Sequence, residues 1–85
     1  MAIIFADDDE MIRDIAEAVL SNITEDLLFA EDGKQAIDHL TSNGGQVKLV
    51  ILDLNMPGMD GYQAVTKIRS TGNKVPCVGF SAGKL

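Results

Sequence analysis

The chain has 85 residues, of which 46% are apolar and 24% charged, and a formal charge of −6, which fits one small globular domain rather than a disordered segment. The acidic balance argues against binding nucleic acid or anionic membranes through this surface, since both need basic patches. A lone cysteine, Cys77, excludes an internal disulfide and a cysteine-based zinc cluster; with no signal-like start and no membrane-length apolar run, a soluble cytoplasmic domain is expected.

Residues 2–6 are apolar and break into Asp7-Asp8-Asp9-Glu10, which predicts a short buried strand ending in an acidic loop. Ile12, Ile15, Ala16, Val19 and Ile23 then recur at i, i+3, i+4, i+7, one apolar helix face. Asp8 or Asp9 caps that helix, Glu10 favours its first turn, and Ser21-Asn22 with Thr24 closes it. Residues 27–30 read as a second strand, and Glu31-Asp32-Gly33 as a turn with Asp32 a cap. Ala36, Ile37 and Leu40 mark a second helix, ended by Asn43-Gly44-Gly45. The unbroken apolar run into Asp53, from about Val47, suits a strand buried on both faces, and Pro57-Gly58 stops it too soon for a helix. Asp60 caps a third helix, with Ala64, Val65 and Ile68 inward and Gly72-Asn73 at its end. Residues 75–80 form a fourth strand, with Pro76 near its start because proline has no N–H, and Ser81 just beyond its end.

Strands that alternate with helices imply an α/β fold, a parallel sheet with right-handed crossovers and helices on both faces. Such sheets place ligand sites at the carboxyl ends of their strands. Neighbouring strands lie about 4.8 Å apart, so if the first and third strands are neighbours, Asp7, Asp8 and Asp53 converge there. Three carboxylates together raise one another's pKa or cost stability. A hard cation such as magnesium, which often shares a phosphate, resolves the repulsion. Asp53, expected to be wet enough to stay ionised, is then a candidate phosphoryl acceptor, with the metal neutralising the incoming oxygens. The Ser81 hydroxyl, one strand over, is expected to hydrogen-bond a phosphoryl oxygen.

These residues resemble the receiver domain of two-component response regulators. The resemblance rests on Phe5-Ala6-Asp7-Asp8-Asp9-Glu10 with Ile12-Arg13, on Leu52-Asp53-Leu54-Asn55-Met56-Pro57-Gly58-Met59-Asp60-Gly61, and on Val75-Pro76 through Phe80-Ser81-Ala82. It implies the flavodoxin-like strand order 2-1-3-4-5. It also implies that Asp53 accepts a phosphoryl group from a histidine kinase or phosphotransfer protein. Asp8 would ligate magnesium directly, Asp7 through water and Asn55 through its backbone carbonyl. Ser81 would be the switch hydroxyl, and Pro57 and Gly58 would shape the loop. Such a domain is a phosphoacceptor rather than a turnover enzyme. The family continues through a fourth helix, a fifth strand ending in a lysine, and a fifth helix, none of which the sequence contains; Lys84 is not assigned that lysine's role. Without the fifth strand, the fourth becomes an edge, and a homodimer or swapped assembly through it is expected. Two rival readings are a module of the same fold that no longer signals by phosphorylation, and a haloacid-dehalogenase-like phosphatase. The phosphatase family uses an aspartate two positions after its acceptor as general acid, and here Asn55 stands at that place.

The remaining side chains have blander expectations. His39 and Tyr62 are solvated helix residues, Cys77 is a buried inert thiol, and Met56 and Met59 pack the loop. Lys34, Lys48, Lys67, Arg69 and Lys74 lie on solvated faces, and Arg13 pairs a carboxylate on its helix.

Overall fold

Strands and helices alternate in the order β1 (Ala2–Ala6), α1 (Glu10–Leu20), β2 (Asp26–Ala30), α2 (Gly33–Asn43), β3 (Val47–Asp53), α3 (Gly61–Ser70) and β4 (Cys77–Phe80), with a 3-10 turn at Gly44–Gln46 before β3. The computed structural model describes residues 1–81. All pairings are parallel and the order is β2-β1-β3-β4, which agrees with the flavodoxin-like order through its fourth strand. Ala6 lies opposite Leu52, and Asp53 opposite Phe80, so β1, β3 and β4 end at one edge of the sheet.

The period of two along each strand divides the apolar residues between the faces. Ala2, Ile4, Ala6, Ala30, Val50 and Leu52 form the main core with Ala36 and Leu40 of α2 and Ala64 and Ile68 of α3. Ile4, Val50 and Leu52 are fully enclosed there, each stabilising the fold by about 1.5 to 3 kcal/mol. Ile3 and Phe5 belong to the opposite face, which carries α1. Phe5 meets Phe29 edge-on at 6.3 Å and stacks on Phe80 at 5.6 Å, tying β2, β1 and β4 together beside the site edge.

The helix starts follow the sequence closely. Asp9, rather than Asp8, caps α1 and accepts from Met11 N–H at 2.9 Å. Asp32 accepts from Gln35 N–H at 2.8 Å. Asp60 forms a reciprocal capping box with Gln63, at 2.8 and 3.0 Å. Gly58 (φ +70°) and Gly72 (φ +84°) adopt the left-handed backbone that turns the chain before and after α3.

Two expectations need correction. Of the apolar face expected on the first helix, Ala16 is buried and Ile12 half-buried, whereas Ile15, Val19 and Ile23 are exposed, as is Met11. Ile12, Ala16 and Leu20 form one row at i, i+4, i+8. Met11, Ile15 and Val19 form another, about 100° round the helix. Because α1 packs mainly on β1 and β2, that outer row remains on an open flank. The fourth strand is also shorter than 75–80. Pro76 accepts from Val50 N–H at 2.9 Å but cannot donate, and the Val75 N–H is held by the Asn73 side chain at 2.9 Å.

Candidate functional site

Asp7 follows the last residue of β1, and its own N–H donates to the Ala30 carbonyl at 3.0 Å. This bond carries the β1–β2 ladder one residue into the acidic loop and fixes where Asp7 points. The Arg13 guanidinium, expected to pair a carboxylate, instead donates Nη1 to the Asp7 backbone carbonyl at 2.8 Å. Arg13 therefore clamps the loop to α1, and among the described residues it makes no ion pair with the acidic side chains. Asp53 is the last residue of β3, and the next N–H, from Leu54, donates to the Phe80 carbonyl at 2.8 Å. Gly61 lets α3 start against this strand end, since a Cβ there would lie 2.6 Å from the Asp53 carbonyl oxygen.

The three carboxylates meet, with one oxygen each from Asp7, Asp8 and Asp53 lying within 4.8 Å of one another. Asp7 is 1% exposed and Asp53 7%, while Asp8 is open to solvent, so the cluster forms a pit with one wet side. Asp53 is thus more enclosed than its strand-end position suggests. Asp7 Oδ1 accepts from Asp9 N–H at 2.8 Å, but Asp7 Oδ2 is buried without a partner. Burial pushes the Asp7 carboxyl above its ordinary value of 3.8, the Asp9 N–H opposes this, and the Asp53 and Asp8 charges add to the rise. Repulsion among the acids is therefore secondary to desolvation. Among the described residues, the ion pairs are Met1 with Asp26 and Lys34 with Asp38, both away from the pit.

This donor set fits a small hard cation. All three donors are carboxylate oxygens, which suit magnesium or calcium rather than a softer metal. The orphaned Asp7 Oδ2 is the atom such an ion would satisfy, and the exposed side leaves room for water or a further oxygen ligand.

Asn55 bridges the two strand ends. Its N–H donates to Asp53 Oδ1 at 2.9 Å, and its side-chain Nδ2 donates to Ser81 Oγ at 2.9 Å. Ser81 is exposed, at the rim of the site rather than inside it. The family resemblance implies only the Asn55 backbone carbonyl; the side-chain contact depends on where β4 ends. Met56 is buried in the main core and Met59 packs against it, as loop packing requires. The Met59 carbonyl also accepts from Gly33 N–H at 3.2 Å, a link from α2 to the site loop that Asp32-Gly33, as a turn, does not reveal. His39 is half-buried rather than fully solvated, and its Nε2 lies 2.7 Å from the Phe29 carbonyl. Cys77 is half-buried, Tyr62 is exposed, and Lys84 lies outside the described residues. Among the described residues, no helix is long and apolar enough to cross a membrane.

Comparisons with known proteins bear on the family and the fold. The family model described as the response regulator receiver domain matches residues 3–84. The sensor histidine kinase RcsC of Salmonella typhimurium is 34% identical over all 85 residues, which span 9% of that protein. The response regulator MprA of Mycolicibacterium vanbaalenii is 32% identical over 80 residues, which span 34% of it. A CheY-like response regulator receiver domain protein from Methanospirillum hungatei superposes with a TM-score of 0.76 at 29% identity, covering 92% of this chain and 60% of that one.

Proposed function

The chain belongs to the response regulator receiver domain family, and from that premise we propose that Asp53 accepts a phosphoryl group from the phosphohistidine of a histidine kinase or phosphotransfer protein. Receiver domains pair with histidine kinases in two-component systems. The observation that carries the reading is the pit at the ends of β1 and β3, where three carboxylates share a space with no basic partner among the described residues and one buried oxygen of Asp7 is unsatisfied.

Asp7, Asp8 and Asp53, with the Asn55 backbone carbonyl, would hold magnesium. A magnesium ion held by these residues would supply positive charge against the phosphoryl oxygens. The Asn55 N–H occupies Asp53 Oδ1, so Oδ2 is the oxygen that forms the bond to phosphorus. The phosphorus–nitrogen bond breaks as this one forms. Its electron pair stays with the imidazole, which leaves neutral with its proton on the other ring nitrogen. The Ser81 hydroxyl then donates to a phosphoryl oxygen. Sustained phosphomonoester turnover is not expected, because Asn55 stands where a phosphatase of this type needs its additional aspartate. The domain acts in the cytoplasm as a signal carrier and self-associates through β4.

Two measurements test this reading. If magnesium is present at ten times its dissociation constant, it should stabilise the fold by about 1.4 kcal/mol, and Asp8→Ala should abolish the gain. A phosphorylated histidine-kinase domain should pass its phosphoryl group to the parent chain in the presence of magnesium and not to Asp53→Ala. Equal labelling of Asp53→Ala would place the acceptor elsewhere.

A further inference from the structure

We infer that the Asn55 side chain is a positioning residue that restrains the Ser81 hydroxyl while Asp53 is unmodified and releases it when Asp53 carries a phosphoryl group. This rests on the phosphoacceptor reading of Asp53 and adds to it a device for holding the resting state. The backbone around Asn55 is fixed on every side. Leu54 N–H is bound to Phe80, Met56 is buried, and Gly79 sits so close to Leu54 that a Cβ would come within 2.6 Å of its Cδ2. Between these anchors the Asn55 side chain is exposed and has one polar contact among the described residues, the bond from Nδ2 to Ser81 Oγ at 2.9 Å.

The chemistry of this contact makes it a switchable one. The amide nitrogen can only donate, whereas a hydroxyl both accepts and donates. At rest, Ser81 Oγ accepts from Asn55. A phosphoryl group on Asp53 would bring charged acceptor oxygens beside the same amide. A hydrogen bond to an ionised acceptor is about twice as strong as a neutral one, so the amide turns from Ser81 to the phosphoryl oxygen. Ser81 loses its restraint in the same step and becomes free to turn its own proton inward. One side chain thereby couples the end of β3 to the end of β4, and the free energy that biases the coupling is the difference between the amide's two acceptors.

The test is heteronuclear NMR of the 15N-labelled chain, with a small acyl phosphate and magnesium as the phosphorylating probe. In the parent, phosphorylation should move the Ser81 and Phe80 amide signals. In unmodified Asn55→Ala the same signals should already lie towards the phosphorylated position, with the restrained population reduced about fivefold relative to the freed one, the factor that one neutral hydrogen bond represents. Ser81→Ala removes the same contact from the other side, so the double variant should add nothing to the Phe80 shift of either single one. Unmodified Asn55→Ala signals that overlay those of the unmodified parent overturn the restraint while leaving the phosphoacceptor reading intact. A parent whose Asp53 is not labelled by the probe overturns both.

Discussion

Asp7 is the least comfortable residue of the site, with one carboxylate oxygen buried and unpartnered and a carboxyl that burial pushes above 3.8. A carboxyl raised on folding holds its proton more tightly in the folded chain. Its effect is therefore stabilising at low pH and is lost as pH climbs from 3.8 through the raised value. Asp7→Asn removes the charge and keeps an oxygen for the Asp9 N–H. Thermal melts of the metal-free chain should find this variant more stable than the parent at neutral pH, by about 1 to 3 kcal/mol, with the gain fading as the buffer becomes more acidic. Magnesium should reverse the order, because the variant loses a ligand. A metal-free variant that melts below the parent at neutral pH would contradict this account of Asp7. That Asp7, Asp8 and Asp53 lie at carboxyl ends of parallel strands was legible in the sequence, whereas their convergence also needs β1 beside β3, an order that only the family resemblance supplied. The depth of Asp7 was not legible, since it depends on how Arg13 and Ala30 hold the loop.

At the scale of elements, α2 and the site loop are coupled through Gly33. A Cβ on this first residue of α2 would lie 2.7 Å from the Met59 carbonyl oxygen and 2.9 Å from its Cγ. Helix propensity alone makes alanine better than glycine, so the sign of Gly33→Ala is informative. The close approach predicts destabilisation by about 1 to 3 kcal/mol, as in other overpacked sites, together with weaker magnesium binding because the loop carrying Asn55 shifts. Urea unfolding with and without magnesium checks both effects, and a variant more stable than the parent would show that the loop yields freely. The capping residues Asp9, Asp32 and Asp60 were readable because their hydrogen bonds are local in sequence. The open flank of α1 was not, because spacing places Ile15 and Val19 on an apolar face without saying whether a neighbour covers it. Pro76 marks the start of the fourth strand in the sequence, although the strand proper begins one residue later, at Cys77.

For the whole molecule, the two faces of the sheet are unequally covered. α2 and α3 enclose one core, while the α1 face leaves Val78 51% exposed on β4. Among the described residues β4 pairs with β3 alone, so its outer edge offers backbone groups to another strand. Self-association through this edge should appear in light scattering as a mass that rises with concentration, and Val78→Lys should return the chain to a monomer. A parent that stays monomeric at high concentration would exclude it. The strand order was legible only through the family resemblance, since alternation of strands and helices fixes parallel pairing but not which strand lies beside which. The central claim is that this fold presents Asp53 as a phosphoryl acceptor, and intact-mass spectrometry after incubation with a small acyl phosphate tests it most directly. One added phosphoryl group should appear that requires magnesium, maps to Asp53 and is absent from Asp53→Ala; labelling that ignores magnesium, or that survives this substitution, would contradict phosphoryl transfer to this aspartate.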